Sequence, residues 1–237
     1  MAKQTRATEV GDRIRGDILS GRLLPGQRLM FPDLCDTYKA SVGAIREALV
    51  SLVAQGMVRT QAHQGYIVTP LTADDLLELT AARLALEPIV LAQAIAEGDL
   101  AWESRALTTH HVMSRTPRED KQAPNRVNDD WVVAHEAFHE ALFSGANNKR
   151  LLAVVRGFAE EARLYRRWSV PLETHRDVAA EHAALLDAVM ARNADLAAER
   201  LCAHVTATTK LLIENPHGVL TPSTRHQTGS AEASTAS

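Results

Sequence analysis

The feature that most constrains the fold of this chain is an abrupt change of pattern near Pro70. Before this residue, segments with helical spacing are followed by two short runs with β-like patterning, Met57–Gln61 and Tyr66–Thr69. After it, the patterning is helical throughout and strand signals disappear. The sequence therefore predicts a mainly α protein built from two modules, residues 1–70 and residues 71–215.

The first module is predicted to contain three helices and a two-stranded wing. Apolar residues recur at helical spacing from Ala7 to Leu19, Asp33 to Tyr38 forms a short helix, and Ser41 is a suitable N-cap for a third helix. His63-Gln64-Gly65 joins the two strands of the wing. This order of elements describes a winged helix-turn-helix, a fold that places its third helix in the major groove of DNA.

The second module is predicted to be an all-α antiparallel bundle of helices rich in Ala, Leu and Glu. The polar stretch Thr116–Asn125 contains two prolines and is predicted to be a loop. The tail over residues 216–237 is mostly Ser, Thr, Ala, Gly and Pro, which predicts disorder. The predicted helices are Leu71–Ala96, Ala101–Met113, Asn128–Phe143, Lys149–Trp168, Asp177–Ala191 and Ala194–Ile213.

The charge of the chain changes sign near the same boundary. The 237 residues carry a formal charge of −3, which at first argues against a nucleic-acid partner. Residues 1–70, however, contain nine Lys and Arg against six acids, a charge of +3, so the remainder carries −6. Because DNA affinity depends on local positive charge, this distribution favours a DNA-binding first module and a second module with a different partner.

Cysteine content and hydropathy exclude several classes of protein. Cys35 and Cys202 lie far apart and show no metal-type spacing, which excludes a disulfide framework and a cysteine-rich zinc fold. The N-terminal residues lack the apolar core of a signal peptide, and we find no apolar run of about 20 residues. We therefore expect a cytoplasmic protein without a membrane partner.

The start of the third helix is the part expected to read DNA bases. Arg46 can bind guanine bidentately or clamp a phosphate, and Gly65 leaves the backbone unobstructed for a close approach to the minor groove. Double-stranded DNA is therefore the predicted partner of this module. The candidate DNA-binding residues are Ser41, Val42, Gly43, Arg46, His63, Gln64 and Gly65.

Several spaced blocks of the first module resemble the GntR family of bacterial transcription regulators. The blocks are Ile18–Leu29, Ser41–Leu49, Leu52–Val58 and Gly65–Val68. The resemblance implies a homodimer on a palindromic operator, with two recognition helices in successive major grooves. The family usually has a second arginine directly after the serine at position 41, and this chain has Val42, so one expected contact is missing.

Four histidines of the second module have spacings that can bring their rings together. His135 and His139 are i and i+4 on one predicted helix and therefore share a face. His182 and His204 each lie eleven residues from Asn193, which is near the centre of the turn between two consecutive helices. In an antiparallel pair they would stand level, roughly 16 Å from the turn. Such convergence suits a divalent transition metal such as Zn²⁺ or Ni²⁺.

Blocks of the second module resemble the FCD-type ligand-binding domain of the FadR subfamily. The blocks are Arg83–Glu87, Phe138-His139, Asn148–Leu151, Glu181-His182 and His204. Such domains typically bind a metal through one Asp and three His. The resemblance implies that three histidines of this chain are ligands and that His135 stands where the Asp is usual, which changes the charge and softness of the site.

The same resemblance implies a small-molecule effector, an organic acid in our interpretation, with an aromatic catabolite as the other class. Arg83 is a natural anchor for a carboxylate, although an ordinary ion pair with Glu87 at i+4 explains it nearly as well. Arg166, beside Tyr165, is a further candidate. The candidate effector-binding residues are Arg83, His135, His139, Arg166, His182 and His204.

A rival interpretation comes from His135-Glu136-Ala137-Phe138-His139, which satisfies the H-E-x-x-H motif of zinc peptidases. In that interpretation Glu136 is the general base and Glu160 or Glu161 is the third ligand. A peptidase would leave His182, His204 and the whole first module unexplained, so we favour a regulator that is not an enzyme. A third interpretation, a scaffold without metal, treats the histidines as surface residues.

Overall fold

The computed structural model is mainly helical, as the sequence predicts. It describes residues 5–61, 65–119, 127–169, 176–215 and 220, so His63, Gln64 and the predicted tail other than Leu220 lie outside the described residues. The elements in chain order are α1 (Arg6–Leu19), β1 (Arg28–Leu29), α2 (Phe31–Tyr38), α3 (Val42–Ala54), β2 (Val58–Gln61), β3 (Gly65–Val68), α4 (Ala73–Glu97), α5 (Leu100–Arg115), α6 (Asp129–Phe143), α7 (Lys149–Ser169), α8 (Val178–Met190) and α9 (Ala194–Glu214).

The first module packs three helices on a small sheet, around a core of its own. The apolar face of α1 and that of α3 meet through buried Ile14, Ile45 and Leu49. Ser41 is the N-cap of α3, as predicted, and its hydroxyl accepts a hydrogen bond from the Ala44 amide. These contacts fix the direction in which the start of α3 faces solvent.

The sheet differs from the predicted two-stranded wing, because it contains a third strand. β1 pairs antiparallel with β3, opposing Arg28 to Ile67 and Leu29 to Tyr66, and the order is β1-β3-β2. Two residues are too short a strand for alternation to be visible in a sequence, and only Leu29 is buried. The prediction of two strands was therefore incomplete.

The second module is a helical bundle whose helices begin at capping residues close to the predicted bounds. Asn128 and Asp177, which the sequence placed inside helices, are instead the N-caps of α6 and α8. The main core is formed by apolar side chains of α4, α5, α6, α8 and α9, with Trp102 and Phe138 among the largest. The boundary between modules near Pro70 remains a prediction, although two separate apolar cores lie before and after it.

One helix qualifies the sequence-based statement that no long apolar run exists. By length and composition α4 could cross a membrane, with a mean hydropathy of 1.4 over eighteen residues. It packs against α7 and α9, and it buries Val90, Leu91 and Ala94 completely in the bundle. A central helix of a bundle passes the same test, and 39% of this eighteen-residue window is buried inside the structure.

We predict that Gly145→Ala lowers the stability of the bundle, because Gly145 lies against Trp102. A Cβ atom at this position would lie 2.7 Å from the Ala94 carbonyl oxygen and 3.0 Å from the indole nitrogen of Trp102. Overpacking of this kind costs about 1–3 kcal/mol. Thermal unfolding should show a midpoint lowered by roughly 2–12 °C. Gly157→Ala is the control, since no atom lies within 4 Å of its Cβ position, and its midpoint should not fall.

Candidate metal centre and nucleic-acid interface

The start of α3 presents a mixed surface to solvent. Ser41, Val42, Gly43 and Arg46 are all exposed, and the side chain of Val42 is 50% accessible. The guanidinium carbon of Arg46 lies 5.5 Å from the centroid of the Phe31 ring, a cation–π contact that restricts its direction. Gly65 adopts φ +79°, a left-handed conformation that favours glycine at the start of β3.

The four predicted histidines come together in the bundle. α6 supplies His135 and His139, α8 supplies His182 and α9 supplies His204, and all four are buried. The ring centroids of His182 and His204 lie 4.6 Å apart, so these two residues stand level, as the count from Asn193 predicts. The scaffold interpretation, with histidines on the surface, was wrong about their location.

The geometry of the four rings fits a transition-metal ion. One nitrogen of each ring can be chosen so that all four lie within 4.8 Å of one another. The Nε2 atoms of His139 and His182 are 3.3 Å apart, close to the roughly 3.3 Å separation of two ligands at about 2.0–2.1 Å from a tetrahedral Zn²⁺. The donor set is four imidazoles, which suits Zn²⁺, Ni²⁺ or Cu²⁺.

Burial keeps these imidazoles in the form that binds metal. Desolvation is the largest cause that lowers the pKa of each of the four rings, and neighbouring rings lower it further for His135, His139 and His182. The hydrogen bond with Glu181 opposes the decrease at His204. A neutral imidazole offers a lone pair, so the cluster is ready to accept a cation.

A carboxylate outside the cluster fixes the orientation of His204. Its Nδ1 lies 2.9 Å from Oε2 of Glu181, which also forms an ion pair with Arg176. Burial alone would raise the pKa of Glu181, but hydrogen bonds from His204 and Arg176 lower it to about 2. Nδ1 of His204 therefore donates to a carboxylate, and Nε2 is left for a metal. The sequence analysis assigned no role to Glu181 or Arg176. The one signal for such a partner is general, because the N–H of a buried imidazole needs a hydrogen-bond acceptor.

The cluster reaches a cavity of about 300 Å³ between α6 and α7. His139 lines this cavity together with Arg166, whose side chain is 15% accessible. Arg166 donates a hydrogen bond to the Ala159 carbonyl and contacts Glu136 across the cavity wall. A buried guanidinium beside a candidate metal site is suited to hold an anion.

Arg83 is held by the ion pair that the sequence offered as the alternative to an effector anchor. Its Nε donates to Oε1 of Glu87 at 2.6 Å and its Nη2 donates to Oε2 at 3.3 Å. Both side chains are largely buried. The charge of Arg83 nevertheless contributes to the lowered pKa values of His139 and His204, so it lies within electrostatic range of the cluster.

The two histidines of the peptidase interpretation lie in the cluster, but its acidic residues Glu136 and Glu160 do not. The carboxylate of Glu136 faces α7, with Oε1 lying 2.9 Å from Arg163 and 3.4 Å from Arg166. Glu160 is half exposed and binds Arg15 of the first module. His182 and His204 complete the group of possible ligands around His135 and His139, and no acidic side chain among the described residues joins that group, so the peptidase alternative finds no support in this geometry.

A larger cavity of about 420 Å³ lies where the two modules meet. It is lined by acidic side chains, among them Asp75, Glu78 and Glu161, and by a single arginine, Arg59. Its acidic side chains outnumber its arginine four to one, whereas the smaller cavity has three glutamates against two arginines and also contains His139. Size alone therefore does not identify the binding site for an organic acid.

Both modules match known families. Residues 6–68 match the model described as bacterial regulatory proteins of the gntR family, and residues 78–207 match the FCD domain. A relative from Paraburkholderia xenovorans, the uncharacterized HTH-type transcriptional regulator BphR, is 37% identical over 196 residues, covering 81% of this chain and 79% of the relative. The HTH-type transcriptional repressor GlaR of Escherichia coli is 31% identical over 197 residues, covering 81% and 89%.

Solved structures have the same fold. A putative transcriptional regulator GntR from Rhodococcus sp. RHA1 has a TM-score of 0.68 and 27% identity, covering 87% of this chain and 97% of that one. E. coli McbR/YncC has a TM-score of 0.71 at 17% identity, covering 90% and 99%, a likeness of fold alone.

Proposed function

Because the chain belongs to the GntR family of bacterial regulators and carries an FCD domain, we propose that it is a cytoplasmic repressor of the FadR subfamily whose operator binding is controlled by an organic acid held beside a divalent metal. Members of this family are DNA-binding transcriptional regulators and not enzymes. The observation that carries the effector proposal is the convergence of four buried imidazoles next to a cavity that contains Arg166.

The metal that we propose is Zn²⁺ or Ni²⁺, held by His135, His139, His182 and His204. It would supply a fixed positive charge at the end of the cavity, to which a carboxylate can bind. His135 adds no negative charge to the site, so four neutral imidazoles leave the charge of the ion uncompensated within the ligand set. This supports an anionic effector, with an aromatic acid as the other candidate class.

The DNA-binding unit that we propose is a homodimer on a palindromic operator. Each protomer would present Ser41, Gly43 and Arg46 to a major groove, with Val42 making an apolar contact. His63, Gln64 and Gly65 are proposed to contact the minor groove or its phosphates. Effector binding would favour one arrangement of the two recognition helices, and the difference in affinity between arrangements sets the size of the response.

We expect Arg166→Gln to weaken effector binding, because it removes the guanidinium beside His139. A hydrogen bond to a charged group contributes about 1.5–3 kcal/mol, so the dissociation constant should rise roughly 10- to 150-fold. A thermal-shift screen of organic acids and phenolic catabolites, with and without Zn²⁺ and Ni²⁺, identifies the ligand, and calorimetry measures both variants.

Arg156→Gln is the matched control for this prediction. Arg156 lines the same cavity and pairs with Glu140, but its side chain is 58% accessible. An exposed pair contributes little, so the dissociation constant should change only a few-fold. Equal losses in the two variants, or none in either, would contradict the placement of the effector at Arg166.

A further inference from the structure

Five charged side chains of alternating sign connect the first module to the cavity beside the histidines. Nη2 of Arg15 on α1 lies 2.6 Å from Oε2 of Glu160 on α7, and this carboxylate oxygen lies 3.9 Å from Nη1 of Arg163. Oε1 of Glu136 on α6 lies 2.9 Å from Nε of Arg163 and 3.4 Å from Nη2 of Arg166. We call these five residues the charge ladder.

One end of the charge ladder lies at the cavity beside the histidines, and the other end lies on α1, which packs against α3. Arg166, Glu136 and Glu160 line the cavity that contains His139. At the other end, α1 carries Arg15 and packs closely on α3, where the Cβ position of Gly11 lies 3.7 Å from the Cβ of Ala48. A displacement of α1 would therefore change the position of the helix that carries Arg46.

The middle of the charge ladder is arranged for exchange of partners. One oxygen of Glu136 is shared by two guanidinium groups, and Arg163 lies between two carboxylates at unequal distances. An anion that binds Arg166 competes with Glu136 for that guanidinium. Glu136 then pairs more fully with Arg163, which in turn releases Glu160 and alters its contact with Arg15.

We propose that the charge ladder transmits the occupancy of the cavity to the DNA-binding module, an inference that rests on the proposed function and names its route of regulation. The outer pair of the charge ladder, Arg15 with Glu160, is partly exposed and contributes little by itself, so the charge ladder acts through exchange of partners and not through the strength of that pair. A connected route can be distinguished from separate local contacts by experiment. In a connected route the effect of changing one member depends on the state of a distant member.

A double-mutant cycle between Glu136→Gln and Arg15→Gln tests this dependence. The two residues belong to different modules and are separated in the charge ladder by Glu160 and Arg163. Affinity for a duplex selected by the wild-type protein is measured by fluorescence anisotropy, with chelator present and no organic acid. The double variant should differ by about 3-fold or more from the product of the single effects.

The control cycle pairs Glu136→Gln with Asp75→Asn. Asp75 also joins the two modules, through an ion pair of 3.3 Å with Arg59, but it is not a member of the charge ladder. This cycle should be multiplicative within about 2-fold. Multiplicative behaviour in both cycles would overturn the proposal. Equal non-additivity in both would also overturn it, because the effect would then be a general loosening of the contact between modules.

The design remains informative if Glu136→Gln folds poorly, since Glu136→Asp keeps the charge, shortens its reach and serves in the same cycle. Because no metal and no organic acid are present, the cycles report on the charge ladder even if no effector is found. Conversely, two multiplicative cycles would leave the effector proposal standing and remove only its route to DNA.

Discussion

Arg46→Ala is expected to weaken operator binding by about 30-fold to 20,000-fold while leaving the helical content unchanged. A bidentate contact between arginine and guanine contributes about 1–3 kcal/mol of discrimination, and the proposed homodimer makes it twice. Arg46 is exposed at the start of α3, and its packing on Phe31 contributes only about 0.5–1 kcal/mol to folding. The loss should therefore appear in DNA binding and hardly in thermal stability.

Arg46→Lys separates the two contacts that the sequence left open for this residue. Lysine keeps the charge but lacks the planar fork of the guanidinium. If Arg46 reads a base, the lysine variant should retain non-specific DNA affinity and lose most of its preference for the operator. A titration against operator and scrambled duplexes at two salt concentrations distinguishes these cases. Wild-type operator affinity in Arg46→Ala would contradict the assignment of α3 as the recognition helix.

Metal removal is expected to lower the unfolding midpoint by about 5–10 °C. A ligand present at 100 times its dissociation constant stabilises the native state by about 2.7 kcal/mol, and each kcal/mol moves the midpoint of a chain of this size by about 2–4 °C. Elemental analysis of protein purified without a histidine tag should give one Zn²⁺ or Ni²⁺ per chain. Thermal unfolding with and without chelator measures the shift.

Two variants, each lacking one histidine, serve to test whether the chelator-dependent shift of the unfolding midpoint comes from the cluster. His182→Asn removes a proposed ligand and should abolish the chelator-dependent shift, whereas His110→Asn should keep it. His110 packs edge-on against Phe138, with ring centroids 5.2 Å apart, but it does not belong to the cluster. Wild-type protein without stoichiometric metal and with the same midpoint in chelator would favour a cavity that binds its effector without a metal.

Local signals in the sequence were sufficient to predict the start of α3 and the level placement of His182 and His204, whereas one ligand set that includes His135 and His139 was implied by the family resemblance. Ser41 marks the start of α3 because a hydroxyl at an N-cap has a local partner, the Ala44 amide. His182 and His204 could be placed level because helical rise and a short turn determine the geometry of a helix pair. The first inference depends on residues close together in the chain, and the second depends on two helices joined by a single short turn.

Contacts between distant elements could not be predicted in the same way. The partner of Glu136 could not be read from H-E-x-x-H, because Arg163 and Arg166 lie on another helix. For the same reason the peptidase alternative could offer Glu160 as a third metal ligand, although its side chain reaches Arg15. The short strand β1 was missed because its pairing with β3 is non-local and spans only two residues. Side-chain charge alone does not specify which of several partners is nearest.

The most direct test of the account is the operator affinity of Zn²⁺-loaded protein across a panel of organic acids. We predict that at least one acid changes the affinity by 5-fold or more, the lower end of the usual range of about 5- to 150-fold for coupled sites, and that His182→Asn removes this response while still binding the operator. An operator affinity that no acid alters, or a response that survives unchanged in His182→Asn, would contradict control of DNA binding through the histidine cluster.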